Sequence, residues 1–468
     1  MAPVEILIIG CGIAGPTLAT FLCLIDDMPA AQRPRITIVE RASEHVTHAR
    51  GQNIDVRGVG VAVLRRLGIE GLVRRSTTGE AGVRLVDERN RVWAASAADR
   101  TGLSQTPTAD IEILRGRLSE ICWRNSLRAS AEVEREREQG GGGTGRGIEY
   151  IFGDYVEELD QGDGDKVHVR LAKSGLRRSF DLVVGADGLH SRTRKLVWGA
   201  EGEGDRVKRL GMYAGFFSIP REGETDDAWR RWFHTPGRRS VMLRPDGTGR
   251  RTTVLMSVVK DDDSADDENQ KLAELAARGH AGVAVQKALL EEHFRDAGWE
   301  CERILRGMGA TDDFYFDMVA QVKMDRWSKG RVVLLGDAGY CASPISGLGT
   351  TLAFTAAYNL AGCLQEYIKG TTPDPSSALV AYEAKMRPVV EEAQRLAPGQ
   401  AYLMHPETAW GIRMSHLFAS FVLYIKSIST FLGKLFPFGP QMADEVPLEE
   451  YGFKVMPGWE LEDKSLKQ

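Results

Sequence analysis

Three apolar runs in this 468-residue chain each end in a glycine cluster, far apart from one another. The first is Ile6-Leu7-Ile8-Ile9, followed by Gly10, Gly12 and Gly15. The second is Leu182-Val183-Val184, followed by Gly185-Ala186-Asp187-Gly188. The third is Val332-Val333-Leu334-Leu335, followed by Gly336-Asp337 and then by Pro344, Gly347, Leu348 and Gly349. A short, uninterrupted apolar run bounded by turn residues suits a strand covered on both faces, as in a parallel sheet. Helical and charged segments separate the three runs, so the fold class read here is α/β, with a Rossmann-like parallel sheet at its centre.

The first cluster has the G-x-G-x-x-G spacing. Gly10 permits a tight turn, Gly12 lets the backbone approach a pyrophosphate, and Gly15 lets the following helix pack on the strand. Ile13 and Ala14 lie in that turn, and the helix is expected over Pro16–Leu24. Its N-terminal amides and dipole favour phosphate. Arg35–Glu40 reads as the next strand, completing a strand–helix–strand unit. Glu40 ends it where a carboxylate can accept from a ribose diol, with Arg41 beside it. A carboxylate there disfavours a 2′-phosphate, so the turn suits the AMP half of FAD or NAD. Asp337 follows a buried strand, where an unpaired acid is costly; a role as ligand to ribityl hydroxyls explains it. The amides of Gly347 and Gly349 can point at a flavin's pyrimidine edge. Order and spacing together indicate FAD.

Further along, Val59–Leu67 has helical spacing, Val83–Ala95 alternates as strands do, and Ile113–Ser126 reads as a helix. Arg135–Gly147 is charged and then glycine-rich, and is expected to be a flexible surface connection. Ile148–Phe152, Val167–Leu171 and Phe180–Val184 read as strands of a β-meander. Met212–Ile219, Val241–Leu243 and Thr252–Val259 form a β-rich region, followed by an acidic loop (Asp261–Asn269) and helical spacing over Lys271–Phe294. Helices are expected at Thr350–Tyr367 and Ser377–Gln394.

A net charge of -5 supplies no field for nucleic acid. The six cysteines form no C-x-x-C pair, so no metal site is expected and a reducing, cytoplasmic compartment is the default. Cys341 reads as a packed residue rather than a flavin tether, which makes the FAD non-covalent. Met414–Ile425 is apolar and free of Asp, Glu, Lys and Arg but too short to span a bilayer; a core or lid helix is favoured over membrane contact.

On these motifs the chain resembles the class A FAD-dependent monooxygenases of the para-hydroxybenzoate hydroxylase type. It is most similar to their tetracycline-inactivating and secondary-metabolite-tailoring branch. The resemblance spans about Val4 to Leu364. It implies that Arg50 to Asp55 forms the loop beside the isoalloxazine, with Asp55 contacting the flavin. Arg115 resembles the arginine that steadies the ribityl–phosphate region. Asp187 and Gly188, with Ser191 and Arg194, match the family's Asp-Gly motif, tied to FAD and to the reducing nucleotide. Gly336-Asp337 matches its Gly-Asp motif, and Pro344 to Gly349 the loop under the ring. The chain departs from the family at Tyr340, Thr351 and Ala356, where relatives often carry histidine, asparagine and aspartate. No second G-x-G-x-x-G unit appears for a separate nicotinamide domain, and no W-x-W-x-I-P signature is present.

The resemblance further implies NAD(P)H as a transient reductant and O₂ as co-substrate. A flavin C4a-hydroperoxide would then hydroxylate or epoxidise an electron-rich, polycyclic or secondary-metabolite molecule. A flavin-linked reductase or dehydrogenase is the alternative. The FAD-binding domain is expected to comprise residues 1–80, 110–205 and 320–395. A β-rich substrate domain takes 81–109 and 206–319, and a C-terminal helical lid takes 396–468. Tyr213, Phe216, Trp232, His234, Met256 and Pro344 are the expected substrate wall, although most suit a plain core or sheet surface equally well. Tyr213 and His234 are the candidates for a catalytic side chain, His234 as a base. Around His416–Ile425, Phe418, Phe421, Leu423 and Tyr424 would make a lid for a bulky substrate. The protein is expected to be a monomer or homodimer.

Overall fold

A computed structural model describes residues 2–43, 52–98, 109–139, 146–162, 165–223, 226–260, 267–397, 399–435, 448–456 and 458. Its central sheet has six strands in the order Ser328–Lys329, Val332–Leu334, Leu182–Gly185, Glu5–Ile9, Arg35–Glu40, Ile148–Phe152. All pairs are parallel except the hairpin at the first edge. The three apolar runs are therefore neighbours, and Ile6–Ile8, Leu182–Val184 and Val332–Leu334 are all 0 % exposed. Helices Ala14–Cys23 and Gly349–Cys363 pack together on one face. An antiparallel meander of Val156–Asp160, Val167–Leu171 and Arg177–Phe180 accompanies the other, joined to it by an apolar cluster.

Two local expectations are corrected here. Phe180–Val184 is not one strand. At Asp181 the chain passes from the meander into the parallel sheet, and the Asp181 carboxylate accepts from the Glu5 amide (2.8 Å) and pairs with Lys166 (3.0 Å). Ile113 and Leu114 are not helical. They end the strand Ile111–Leu114, which pairs antiparallel with Asn53–Val56. The helix starts at Arg115 and runs to Gln139, through residues expected to be a loose connection. Arg137 anchors that end from a buried position, donating to the carbonyls of Arg146 (2.9 Å) and Arg33 (3.2 Å). Gly140–Gly143 lie outside the described residues.

The second sheet has seven strands: Tyr315–Val322, Val207–Pro220, Arg251–Val259, Arg239–Pro245, Trp229–Thr235, Gly82–Val86 and Val92–Ala97. All are antiparallel neighbours except Trp229–Thr235 with Gly82–Val86. One face is covered by helices Asp267–Ala277, Val283–Phe294 and Cys301–Ala310 over a core that includes Tyr213, Phe217, Phe233 and Met256. The helical spacing of Lys271–Phe294 is broken at Gly279, whose φ of +51° suits glycine. The expected acidic loop is described only from Asp267, which already starts a helix. Two C-terminal helices, Gln400–Met404 and Ala409–Leu435, lie against this sheet's far end. Among the described residues no helix is long and apolar enough to cross a membrane.

Candidate active site

The two sheets enclose one cleft of about 1160 Å³, larger than the ~300–1,000 Å³ of a typical single-ligand pocket. Gly10, Gly12, Ile13, Ala14, Glu40, Arg41, Asp55, Arg115, Asp187, Gly188, Gly336, Asp337, Pro344, Gly347, Leu348 and Gly349 all line it. So do Phe216 and Trp232. Distant stretches of sequence thus meet around one space.

The glycine turn is built by close approach. Gly10 sits at φ +111°, and a Cβ there would lie 2.5 Å from the Ala186 carbonyl oxygen of the second motif. Gly15 is absent from the cleft wall; its Cβ would meet the Gly10 carbonyl oxygen at 2.2 Å, so it serves packing. At Gly12, Gly188 and Gly347 a Cβ would meet nothing within 4 Å and would project into open space. Helix Ala14–Cys23 has no side-chain cap and no acid in its first turn. Its leading amides are left for a ligand. Helix Gly349–Cys363 likewise begins at the cleft without a side-chain cap.

Glu40 fixes the turn through its carboxylate, which accepts from the amides of Cys11 (2.8 Å) and Ala42 (2.9 Å). Asp187 is held by its own loop, accepting from Ser191 Oγ (2.5 Å) and from the amide (2.9 Å) and hydroxyl (3.0 Å) of Thr193. Ser191 also caps helix Arg192–Trp198, accepting from the Arg194 amide. Fully buried Arg194 donates to the Ala338 carbonyl (2.7 Å), the Leu189 carbonyl (2.8 Å) and Glu203. Ser191 and Arg194 therefore brace the second motif against the third. Thr351 clasps the backbone of Arg57, accepting from its amide (3.1 Å) and donating to its carbonyl (3.2 Å).

Asp337 stands at the cleft with the Cys341 thiol beside it. Burial pushes its carboxyl above the usual range, against the pull of the Arg115 guanidinium. Hydroxyl donors of a ribityl chain would relieve that cost. Together with the open glycines and the uncapped helix ends, this fits FAD. Asp337→Ala is expected to weaken FAD binding by about 10- to 150-fold, the worth of one hydrogen bond to a charged group at ~1.5–3 kcal/mol. Flavin-fluorescence titration reads this, and unchanged affinity would remove Asp337 from the site.

The other wall is a row across the seven-stranded sheet. Phe216 faces Leu255, Leu255 faces Met242, and Met242 faces Trp232. All four line the cleft, and Phe216 stacks on Tyr315 at 4.7 Å. Trp232 Nε1 has no hydrogen-bond partner among the described residues. Tyr213 and Met256 were expected on this wall and are not there. They point to the opposite face, where Tyr213 donates to Asn269 (2.9 Å) and both are at most 1 % exposed. Strand parity separates them, because each is an odd number of residues from a cleft-facing neighbour. Sequence reasoning missed Met212, Met242 and Leu255, which that same alternation could have found.

Beside the apolar row, on the same face of the sheet, Arg230 and Arg244 line the cleft and belong to a buried ion cluster. Arg230 meets Glu80 at 2.6 Å and Glu112 at 3.5 Å; Arg244 meets them at 2.8 and 2.5 Å. Glu112 also accepts from Asn53 (2.7 Å) and Thr78 (2.8 Å). Burial would raise Glu80, but Arg244 and Arg230 more than offset it and hold it low. Burial wins at Glu112, which is pushed up. The cluster joins the ribbon Asn53–Val56/Ile111–Leu114 to the seven-stranded sheet.

His234 does not line the cleft. Its Nε2 lies 3.0 Å from the Met404 carbonyl and its Nδ1 3.3 Å from His416 Nε2. Burial, with His405 and His416 nearby, pushes it down to about 3. With both nitrogens engaged and no access, it is not placed as a substrate base. Ala401, Met404 and His405 supply the C-terminal part of the wall instead. His405 is also pushed down by burial, to about 4. An unfolded histidine titrates near ~6.5. The unfolded state therefore binds more protons in between, and stability is complete above that pH and drains as pH falls toward the folded values. Thermal melts from about pH 7 to pH 5 are expected to lose up to ~1.4 kcal/mol per pH unit for each histidine, and His405→Gln to flatten that slope.

Phe418 and Phe421 do not cover the cleft. They are 68 % and 59 % exposed on the outer side of helix Ala409–Leu435, Leu423 is half-buried, and the Tyr424 side chain lies outside the described set. Arg50 also lies outside the described residues.

The cleft is that of a flavoprotein. Residues 3–305 and 315–397 match the family model described as FAD binding domain, and the chain belongs to that family. It is 35 % identical over 397 residues to the FAD-dependent monooxygenase asL6 of Sarocladium schorii, covering 84 % of this chain and 86 % of that one. It is 32 % identical over 425 residues to monooxygenase CTB7 of Cercospora beticola, covering 89 % and 92 %. The crystal structure of tetracycline destructase Tet(51) superposes with a TM-score of 0.65 at 27 % identity, covering 90 % of this chain and 98 % of that one. The protein is an FAD-dependent monooxygenase of class A type.

Proposed function

We propose that the protein uses NAD(P)H and O₂ to hydroxylate or epoxidise an electron-rich, polycyclic secondary-metabolite substrate. The carrying observation is that the cofactor turns and the Phe216–Leu255–Met242–Trp232 row share one cleft. Bound FAD supplies the redox chemistry and the activation of oxygen. The chain's own residues bind, orient and exclude water. The helix amides at Ala14 would receive the pyrophosphate, Asp337 the ribityl hydroxyls, and the Pro344–Gly349 loop would hold the flavin ring. The apolar row offers a flat, dry surface to fused rings, and its indole N–H can donate to a substrate oxygen. The likeness to a tetracycline destructase supports a substrate of that breadth.

The test is turnover of polycyclic phenols by FAD-loaded protein under ¹⁸O₂, with NADH and NADPH compared. One labelled oxygen atom per product is expected. Substrate-dependent NAD(P)H oxidation with no label in the organic product would replace this reading with a flavin-linked reductase.

A further inference from the structure

Helix Ala409–Leu435 is amphipathic the wrong way round. Its inner side carries Ile412, His416 and Ser420; His416 meets His234, and Ser420 donates to the Trp93 carbonyl. Its outer side carries Trp410, Met414, Leu417, Phe418, Phe421, Val422 and Ile425, which are 39–72 % exposed. At helical spacing these seven occupy an arc about 140° wide and about 22 Å long. A helix packed on a globular domain normally presents charge outward. Among the described side chains, the charged neighbour of the outward arc is Arg413, at its margin.

We propose that this face is a two-fold interface with a second copy of the chain, with the two helices antiparallel. The spacing is self-complementary. An axis passing between Leu417 and Phe418 sets Trp410 against Ile425 of the partner, Met414 against Phe421 of the partner, and Leu417 against Phe418 of the partner. Such pairing is isologous, as a closed dimer requires. The exposed area of the seven side chains is about 800 Å² per copy, the share each partner gives to a standard stable interface. Charge disfavours an anionic membrane as the occupant. The chain carries a net -5, whereas helices lying on such membranes place Lys and Arg on a solvent-facing polar side. Here the polar side is taken up by the sheet.

Light scattering during gel filtration of the FAD-loaded full chain tests this. A dimer is expected, and Phe418→Glu combined with Phe421→Glu should give a monomer that still retains FAD. Phe418→Cys should form a covalent dimer on mild oxidation, whereas Val380→Cys, on an equally exposed site of helix Ser376–Ala393, should not. Three results would each overturn the proposal: a monomeric unmodified protein, a dimer that survives both glutamates, or a monomer that sediments with phosphatidylcholine–phosphatidylserine vesicles.

Discussion

Gly10→Ala is expected to yield protein that neither retains FAD nor unfolds cooperatively at the parent temperature. Two costs act at once. An L-residue at φ +111° is strained by about 1–3 kcal/mol. The new methyl also sits 2.5 Å from the Ala186 carbonyl oxygen, which is backbone and cannot rotate away. Relief requires the strands Glu5–Ile9 and Leu182–Gly185 to part where they are hydrogen-bonded neighbours. The combined loss is at least about 3 kcal/mol, a large share of a domain's ~5–15 kcal/mol. Gly12→Ala is the control: its methyl meets no protein atom. That variant should fold normally and lose FAD affinity alone. Circular dichroism melts with flavin titration separate the two, and a normally stable, FAD-replete Gly10→Ala protein would refute the close approach.

Arg244→Met is expected to cost about 3–5 kcal/mol, the penalty for stranding a buried charge. Arg244 is the partner shared by Glu80 and Glu112, whose side chains are 0 % and 3 % exposed. Without it, Arg230 is left as the cation paired with both acids. The loss should be pH-dependent with a definite sign. Glu112 is already raised in the folded state, so the folded protein binds a proton there more readily than the unfolded chain. A raised carboxyl favours the fold at low pH and loses that contribution as pH rises through its folded value. Removing Arg244 raises Glu112 further, so urea unfolding should show a greater deficit at about pH 8 than at about pH 6. Equal deficits would mean that Glu112 stays ionised.

Much of the cofactor site was legible because it is written in glycines and short apolar runs, whose constraints are local. The strand Arg35–Glu40 falls where its alternation and its terminal acid place it. What escaped was set by tertiary context. The assignment of Tyr213 and Met256 to the wall rested on residue type, whereas burial on both faces of the sheet hides which parity looks into the cleft. Ile113 and Leu114 carry a helix-like pattern but are captured by pairing with Asn53 and Ile54. The charged stretch to Gln139 stays helical because Arg137 finds two carbonyls in the interior, a partner no window of sequence displays. The outward aromatics of the last long helix read as a lining because the sequence cannot say which side of an amphipathic helix a neighbour will take.

The order of strands in the parallel sheet has a consequence for biosynthesis. Glu5–Ile9 is made before its neighbour Leu182–Gly185, which lies far along the chain, and Val332–Leu334 comes later still. Such non-local pairing is slow to form, and its unpaired edges stay exposed meanwhile. The nucleotide turn thus precedes its partners in the chain and becomes competent only once the third motif has been made. Nascent chains of this protein should rely on chaperones that shield strand edges, and flavin can act as a folding ligand only for chains that already include the third motif.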